Sequence, residues 1–197
     1  MTQTTGGRVN QKTRTRNAIV QAAAELSRTG REVSMSEVAK VALVSEATAY
    51  RYFPDLASLL REAIAGQLPS PEEALAPVAD SVDPVVRVAA ATEFLLRHVL
   101  ARQGVVRAMI AATIVRPEQA HARPGMRFGL IDYALAPLAG TLGGRDPGAL
   151  AQLKNDLAVV VAAEALFALI DLHGMAPEAA IASIVHTATT LTRAALA

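Results

Sequence analysis

SEATAYRYFP, residues 45–54, decides how this chain is read. It opens on Ser45, whose hydroxyl suits the N-terminus of a helix. It closes on Tyr50, Tyr52, Phe53 and Pro54. Three of the seven aromatic residues fall within four positions, in a chain that is 4 % aromatic and has no tryptophan. Just upstream, Ser34-Met35-Ser36-Glu37 has the form of a capping box, Ser34 capping and Glu37 reaching back to its amide. The pattern predicts a short helix near 35–41, apolar at Val38 and Val41, then Ala42-Leu43-Val44-Ser45, then a second short helix. Two helices joined by such a turn form the unit whose second helix enters the major groove of DNA. Many helical bundles also contain such a pair, so the surrounding residues have to carry the argument.

Working outward, helix start signals recur. Asp55 caps a segment, Ser70-Pro71-Glu72-Glu73 places a cap, a proline and two acids in order, and Asp83-Pro84 and Asp146-Pro147 repeat the cap–proline device. Ile19, Ala22, Ala23 and Leu26 share one helical face, and Leu56, Leu59, Leu60, Ala63 and Ile64 another. Leu150, Leu153, Leu157 and Val160 follow a third stripe, with Val161, Ala165, Leu169 and Leu172 on a neighbouring face. Ile181, Ile184, Val185, Ala188 and Leu191 make the last. No run alternates with period two and no repeat is read, so the expected fold is all-α. The break at Gln67-Leu68-Pro69-Ser70-Pro71 divides the chain. We expect a flexible basic arm over 1–12, a helix-turn-helix domain over 13–67 and a larger helical domain over 68–197.

Charge separates the same regions. The net charge is +1, but residues 1–65 carry nine basic and six acidic groups, leaving ten and twelve for the remainder. The N-terminal end is therefore suited to a polyanion, a solvated basic tail being the alternative. With no cysteine, disulfides, thiol catalysis and Cys-ligated zinc are excluded. The polar N-terminus MTQTTGGRVN lacks the apolar run of a signal peptide, and LAVVVAAEALFALI (157–170) is too short for a membrane span. A cytoplasmic protein without membrane contact is expected.

The stretches TRNAIVQAAAELSRTG and SMSEVAKVALVSEATAYRYFPDLASLL together resemble the DNA-binding domain of the TetR (tetracycline repressor) family. The resemblance rests on Arg16, Ile19, Ala22-Ala23, Val38-Ala39, Val44-Ser45, Thr48, Tyr50, Tyr52, Phe53, Pro54 and the leucines that follow, over about 13–62. It implies a transcriptional regulator, a repressor, that binds a palindromic operator in double-stranded DNA as a homodimer and is released by a small-molecule effector. It also implies that Tyr50 reaches the DNA backbone and that Tyr52 lies at the groove. A tyrosine hydroxyl can donate to a phosphate; the alternative is that both rings fill the core. Phe53 is expected in the core. Thr48 offers a methyl to thymine or a hydroxyl to phosphate. Ser36 and Ser45 are phosphate contacts or, equally, solvent and cap residues. Arg51 reads guanine, touches phosphate or faces water. Glu46 accepts from cytosine or only stabilises the helix N-terminus. Arg14, Ala47 and Leu56 complete the expected DNA-facing set. Two departures from the family stand out. Leu43 occupies a turn position where glycine is common, at a cost of about 1 kcal/mol if φ is positive there. Leu56 stands where a phosphate-gripping lysine is common, although it also lies on the stripe of Leu59 and Leu60.

The resemblance places a dimer interface in 148–172 and 177–196. An effector pocket between the middle helices would draw on Phe94, His98, Met109, Met126, Phe128, Tyr133 and Phe167, residues that helical cores use equally. No cofactor is expected. His98, His121, His173 and His186 have no partner at metal-site spacing, and no phosphate loop or nucleophile elbow is present, so an enzyme is not expected.

Overall fold

The computed structural model describes residues 5–64, 68–115 and 125–197, and among these there is no strand. In chain order the helices are α1 (Thr5–Ser27), α2 (Met35–Val41), α3 (Glu46–Tyr52), α4 (Leu56–Ile64), α5 (Pro71–Ala74), α6 (Pro84–Ala101), α7 (Gln103–Val115), α8 (Met126–Ala134), α9 (Leu142–Arg145), α10 (Pro147–Val160), α11 (Ala163–Phe167) and α12 (Pro177–Leu196). Short 3-10 turns follow α5 and α8, and a π-turn, Ala168–Leu172, follows α11. The chain divides into two compact units. One holds α1–α4 and α7; the other holds α5, α6 to Leu100, and α8–α12.

The N-terminal unit closes on the apolar stripes of α1 and α4. Ile19, Ala23, Val38, Ala49, Leu59 and Leu60 are wholly buried there, with Phe53 beside them. Val105 and Met109 of α7 complete this core. The boundary expected at 67/68 therefore omits a helix, because α7 comes from residues assigned by sequence to the second domain. Gly104 makes its docking possible. A Cβ there would fall 1.6 Å from the carbonyl oxygen of Arg31, closer than any side chain can approach. Of the arm expected over 1–12, residues 5–12 extend α1, and residues 1–4 lie outside the described residues. No proline interrupts this stretch, so the helical ladder propagates outward from the packed turn at Ile19.

The turn between α2 and α3 ends α2 in a Schellman motif. The Val44 amide donates to the Ala39 carbonyl at 2.9 Å and the Leu43 amide to the Lys40 carbonyl at 3.2 Å. That closure requires a left-handed residue at its centre. Here it is Leu43, with φ +56° and its side chain 92 % exposed. The positive φ anticipated from the missing glycine is thus present, and leucine accommodates it.

In the C-terminal unit a buried cation does what apolar contacts do elsewhere. The sequences Ala74-Leu75-Ala76-Pro77 and Ala134-Leu135-Ala136-Pro137 are identical, and both form a helix end running into a 3-10 turn. This short repeat escaped the sequence reading. Arg87 of α6, 5 % exposed, bridges the two turns. Its guanidinium donates to the carbonyls of Val78, Ala79 and Ser81 on one side, and to Tyr133 (2.7 Å) and Ala134 (3.1 Å) on the other. Helix-end carbonyls left without intrahelical partners are satisfied in this way. The guanidinium also lies 5.0 Å from the Tyr133 ring centre.

The long helix expected over 148–172 is broken. Val161 leaves the helical region and Ala162 is extended (φ −140°, ψ 148°) before α11 begins. Val159, Val160 and Val161 are three β-branched residues in a row, which weakens the helix there. The break rotates the buried face. Leu153, Leu157 and Val161 are followed inside by Leu166 and Phe167, and not by the expected Leu169 and Leu172.

Candidate nucleic-acid interface

Local chemistry fixes α3. The Ser45 hydroxyl accepts from the Thr48 amide at 3.2 Å, and the two hydroxyls lie 2.8 Å apart. At α2, Ser34 accepts from the Glu37 amide, but the Glu37 carboxylate accepts from the Ser34 hydroxyl rather than from its amide. The capping box there is half formed; the complete one is at Ser70 and Glu73. Ala49 and Phe53 anchor α3 in the core. With Ala49 buried, Glu46, Ala47, Tyr50 and Arg51 are turned outward.

The aromatic cluster divides accordingly. Phe53 is core, Tyr52 is half-buried against that core, and Tyr50 is 47 % exposed. The Arg51 guanidinium stands 5.7 Å from the Tyr52 ring centre. Arg16, by contrast, is committed. It forms a two-pronged pair with Glu62 of α4 and lies over the Phe53 ring at 5.0 Å. Its charge holds α1 to α4. Arg14 and Ser36 are exposed on α1 and α2. Leu56 packs against the core cluster and is only partly exposed. At that position the apolar stripe of α4 outweighs the motif alignment, and the expectation that Leu56 faces DNA is corrected.

One feature was not anticipated. A cleft of about 340 Å³ opens between α1 and α3. It is lined by Gln11, Lys12 and Thr15 from one side, and by Val44, Ser45, Thr48, Arg51 and Tyr52 from the other. Gln11, Lys12 and Thr15 share a face at helical spacing, but that signal has meaning only once α1 is known to extend past residue 12.

The expected effector residues divide between the two units. Met109 belongs to the core of the N-terminal unit, because α7 packs there. In the C-terminal unit Phe94 and His98 stack on each other, their ring centres 6.1 Å apart. The Tyr133 ring packs on Arg87, Phe167 is buried, Met126 is half-buried, and Phe128 is 52 % exposed beside Arg127. Arg97 is held by Glu178 first and Glu93 second, which raises its pKa and keeps it charged. No group of three or more His, Asp or Glu side chains able to hold a metal occurs among the described residues. No single described helix is long and apolar enough to cross a membrane.

Comparison with known families gives one match: the model for bacterial regulatory proteins of the tetR family covers residues 19–63. Those residues run from the buried Ile19 of α1 to the last turn of α4 and enclose the whole helix-turn-helix. Residues 19–63 are thus a DNA-binding segment of the tetR type. The match supports a DNA-binding transcription regulator, all-α among the described residues. Comparisons with curated proteins and with solved structures gave no match.

Proposed function

We propose that this tetR-family regulator is a repressor, a cytoplasmic homodimer that binds a palindromic operator and releases it when a small molecule occupies the C-terminal unit. The observation that carries the reading is the outward face of α3. It presents Tyr50 and Arg51 beside Glu46 and Ala47 on a helix whose inner face is sunk in the core. In this reading Tyr50 and Tyr52 donate to backbone phosphates, Arg14 and Ser36 add backbone contacts, and Glu46 accepts from a cytosine amino group. Ala47 and the Thr48 methyl meet thymine methyl groups. Two-fold symmetry matches a palindrome.

The dimer interface is proposed on α10 and α12. Exposed Val159 and the small exposed residues Ala182, Ser183 and Thr190 of α12 support it. Leu157 and Ala188, natural choices from sequence for disrupting the dimer, are wholly buried within the protomer. Charging either would unfold the chain rather than separate copies. Val159, 75 % exposed, is the informative position. The effector, an unidentified small molecule, weakens operator binding by about 1–3 kcal/mol of reciprocal coupling. No cofactor is required.

The test is duplex binding to the DNA flanking the protein's own coding region, titrated with sodium chloride. About six neutralised phosphates give a log–log slope of roughly −5. Binding without a salt slope overturns the backbone-dominated reading. Val159→Glu should give monomers by light scattering and lose operator affinity. Dimers that persist in that variant overturn the interface.

A further inference from the structure

The cleft between α1 and α3 has the chemistry of an anion site, and it is formed in part by a segment outside the matched residues 19–63. Two cations line it from opposite walls, Lys12 from α1 and Arg51 from α3, and no carboxylate is among its lining residues. Neither Lys12 nor Arg51 forms an ion pair among the described residues, whereas Arg16, one turn along α1, is neutralised by Glu62. The Tyr52 ring forms the floor under Arg51 and restrains its guanidinium.

Hydroxyl donors are also available. The Ser45 and Thr48 hydroxyls share one hydrogen bond, and Ser45 accepts from the Thr48 amide. Two hydroxyl protons serve one contact, so one proton is left for a ligand whichever way the pair is oriented. The Gln11 amide adds another donor at the rim. The Thr15 hydroxyl already donates to the Gln11 carbonyl at 3.0 Å and serves as wall. Cationic and hydroxyl donors lining one open cleft, with no acid among the lining residues, match a tetrahedral oxyanion.

We propose that this cleft grips one DNA backbone phosphate, shared between Lys12 and Arg51, and that α1 is therefore part of the DNA-binding surface. Its position beside the first turns of α3 puts that phosphate on the strand flanking the groove that α3 reads. The basic N-terminal segment then acts as a rigid wall of the cleft, from the side of the major groove.

The test uses the full-length chain and two 24-base-pair duplexes of mixed order, one A·T-rich and one G·C-rich, with anisotropy read over a sodium chloride series. Lys12→Gln should weaken binding to both duplexes alike, by up to about eightfold at 0.1 M salt, and Lys12→Arg should restore it. The double variant Lys12→Gln/Arg51→Gln should flatten the salt slope by about 0.9 in all, the value for one phosphate. A combined flattening near 1.8 would mean two separate phosphates and overturn the shared site. A loss confined to the A·T-rich duplex would place Lys12 in the minor groove and overturn it as well. So would an effect of Lys12→Gln on binding of inorganic phosphate with none on either duplex, the cleft then serving a free anion. Wild-type protein that bound neither duplex would contradict DNA binding itself. Wild-type binding with an unaltered Lys12→Gln variant would refute the cleft alone.

Discussion

In the N-terminal unit, α3 is held by a serine cap, by buried Ala49 and by Phe53, all within nine residues of one another. In the C-terminal unit, two helix ends are held by the single guanidinium of Arg87, reaching back to residues 78–81 and forward to 133–134. The first arrangement is local and has a fixed spacing, so it recurs as a recognisable pattern. The second links distant segments, and the spacing between them can change without altering the chemistry. The family match covers the first arrangement and ends at residue 63, before the second.

The contrast can be broken by experiment, most sharply at Arg87. Arg87→Ala leaves helix-end carbonyls buried without a donor and should cost about 3–5 kcal/mol in chemical denaturation. Arg87→Lys should recover little, because an ammonium cannot reach both turns at once. A loss below about 1 kcal/mol would mean that water can replace the guanidinium and that the unit is not pinned there. Next in size is Met109→Ala. It should cost about 2–4 kcal/mol and weaken duplex binding, because Met109 completes the core beneath the DNA-binding helices. A variant that melts earlier but binds duplex normally at temperatures where it is folded would leave α7 in a merely supporting role. The smallest effect has the opposite sign. Leu43→Gly should stabilise the N-terminal unit by about 1 kcal/mol, since glycine takes positive φ freely and the leucine side chain is almost entirely in solvent. An unchanged or lowered melting temperature would show that leucine is not strained in this turn.

The parts of the fold legible in the sequence are those set by neighbouring residues. Ser45 announces α3, Asp146-Pro147 announces α10, and the positive φ at Leu43 could be anticipated from a glycine that is missing. What was hidden depends on distant partners. Nothing near Val105 or Met109 says that α7 packs with the N-terminal helices. Only Gly104 marks the close approach, and one glycine has many uses. The broken helix left a faint trace, since the stripe changes phase between Val160 and Val161, but a phase change alone does not distinguish a broad apolar face from a break. Leu56 was ambiguous by construction, because the motif and the stripe assign it opposite surroundings and only packing decides. In the interface, exposure of Tyr50 and burial of Phe53 follow from the position of Ala49 on α3. The role of Lys12 required the full length of α1.

The discontinuity of the N-terminal unit has a consequence for how the chain is made. During synthesis α1 to α4 emerge first, and the ribosome must add roughly forty more residues before Val105 and Met109 exist. Until then the helix-turn-helix has an open apolar side, offered to chaperones or to any other nascent chain. Closing it requires α7 to return across an intervening segment that folds into the other unit, a loop-closure cost that grows only slowly with length. A shortened gene product ending after α4 would carry the whole matched motif and still lack part of its own interior. The smallest autonomous piece of this regulator therefore extends well past the segment by which its family is recognised.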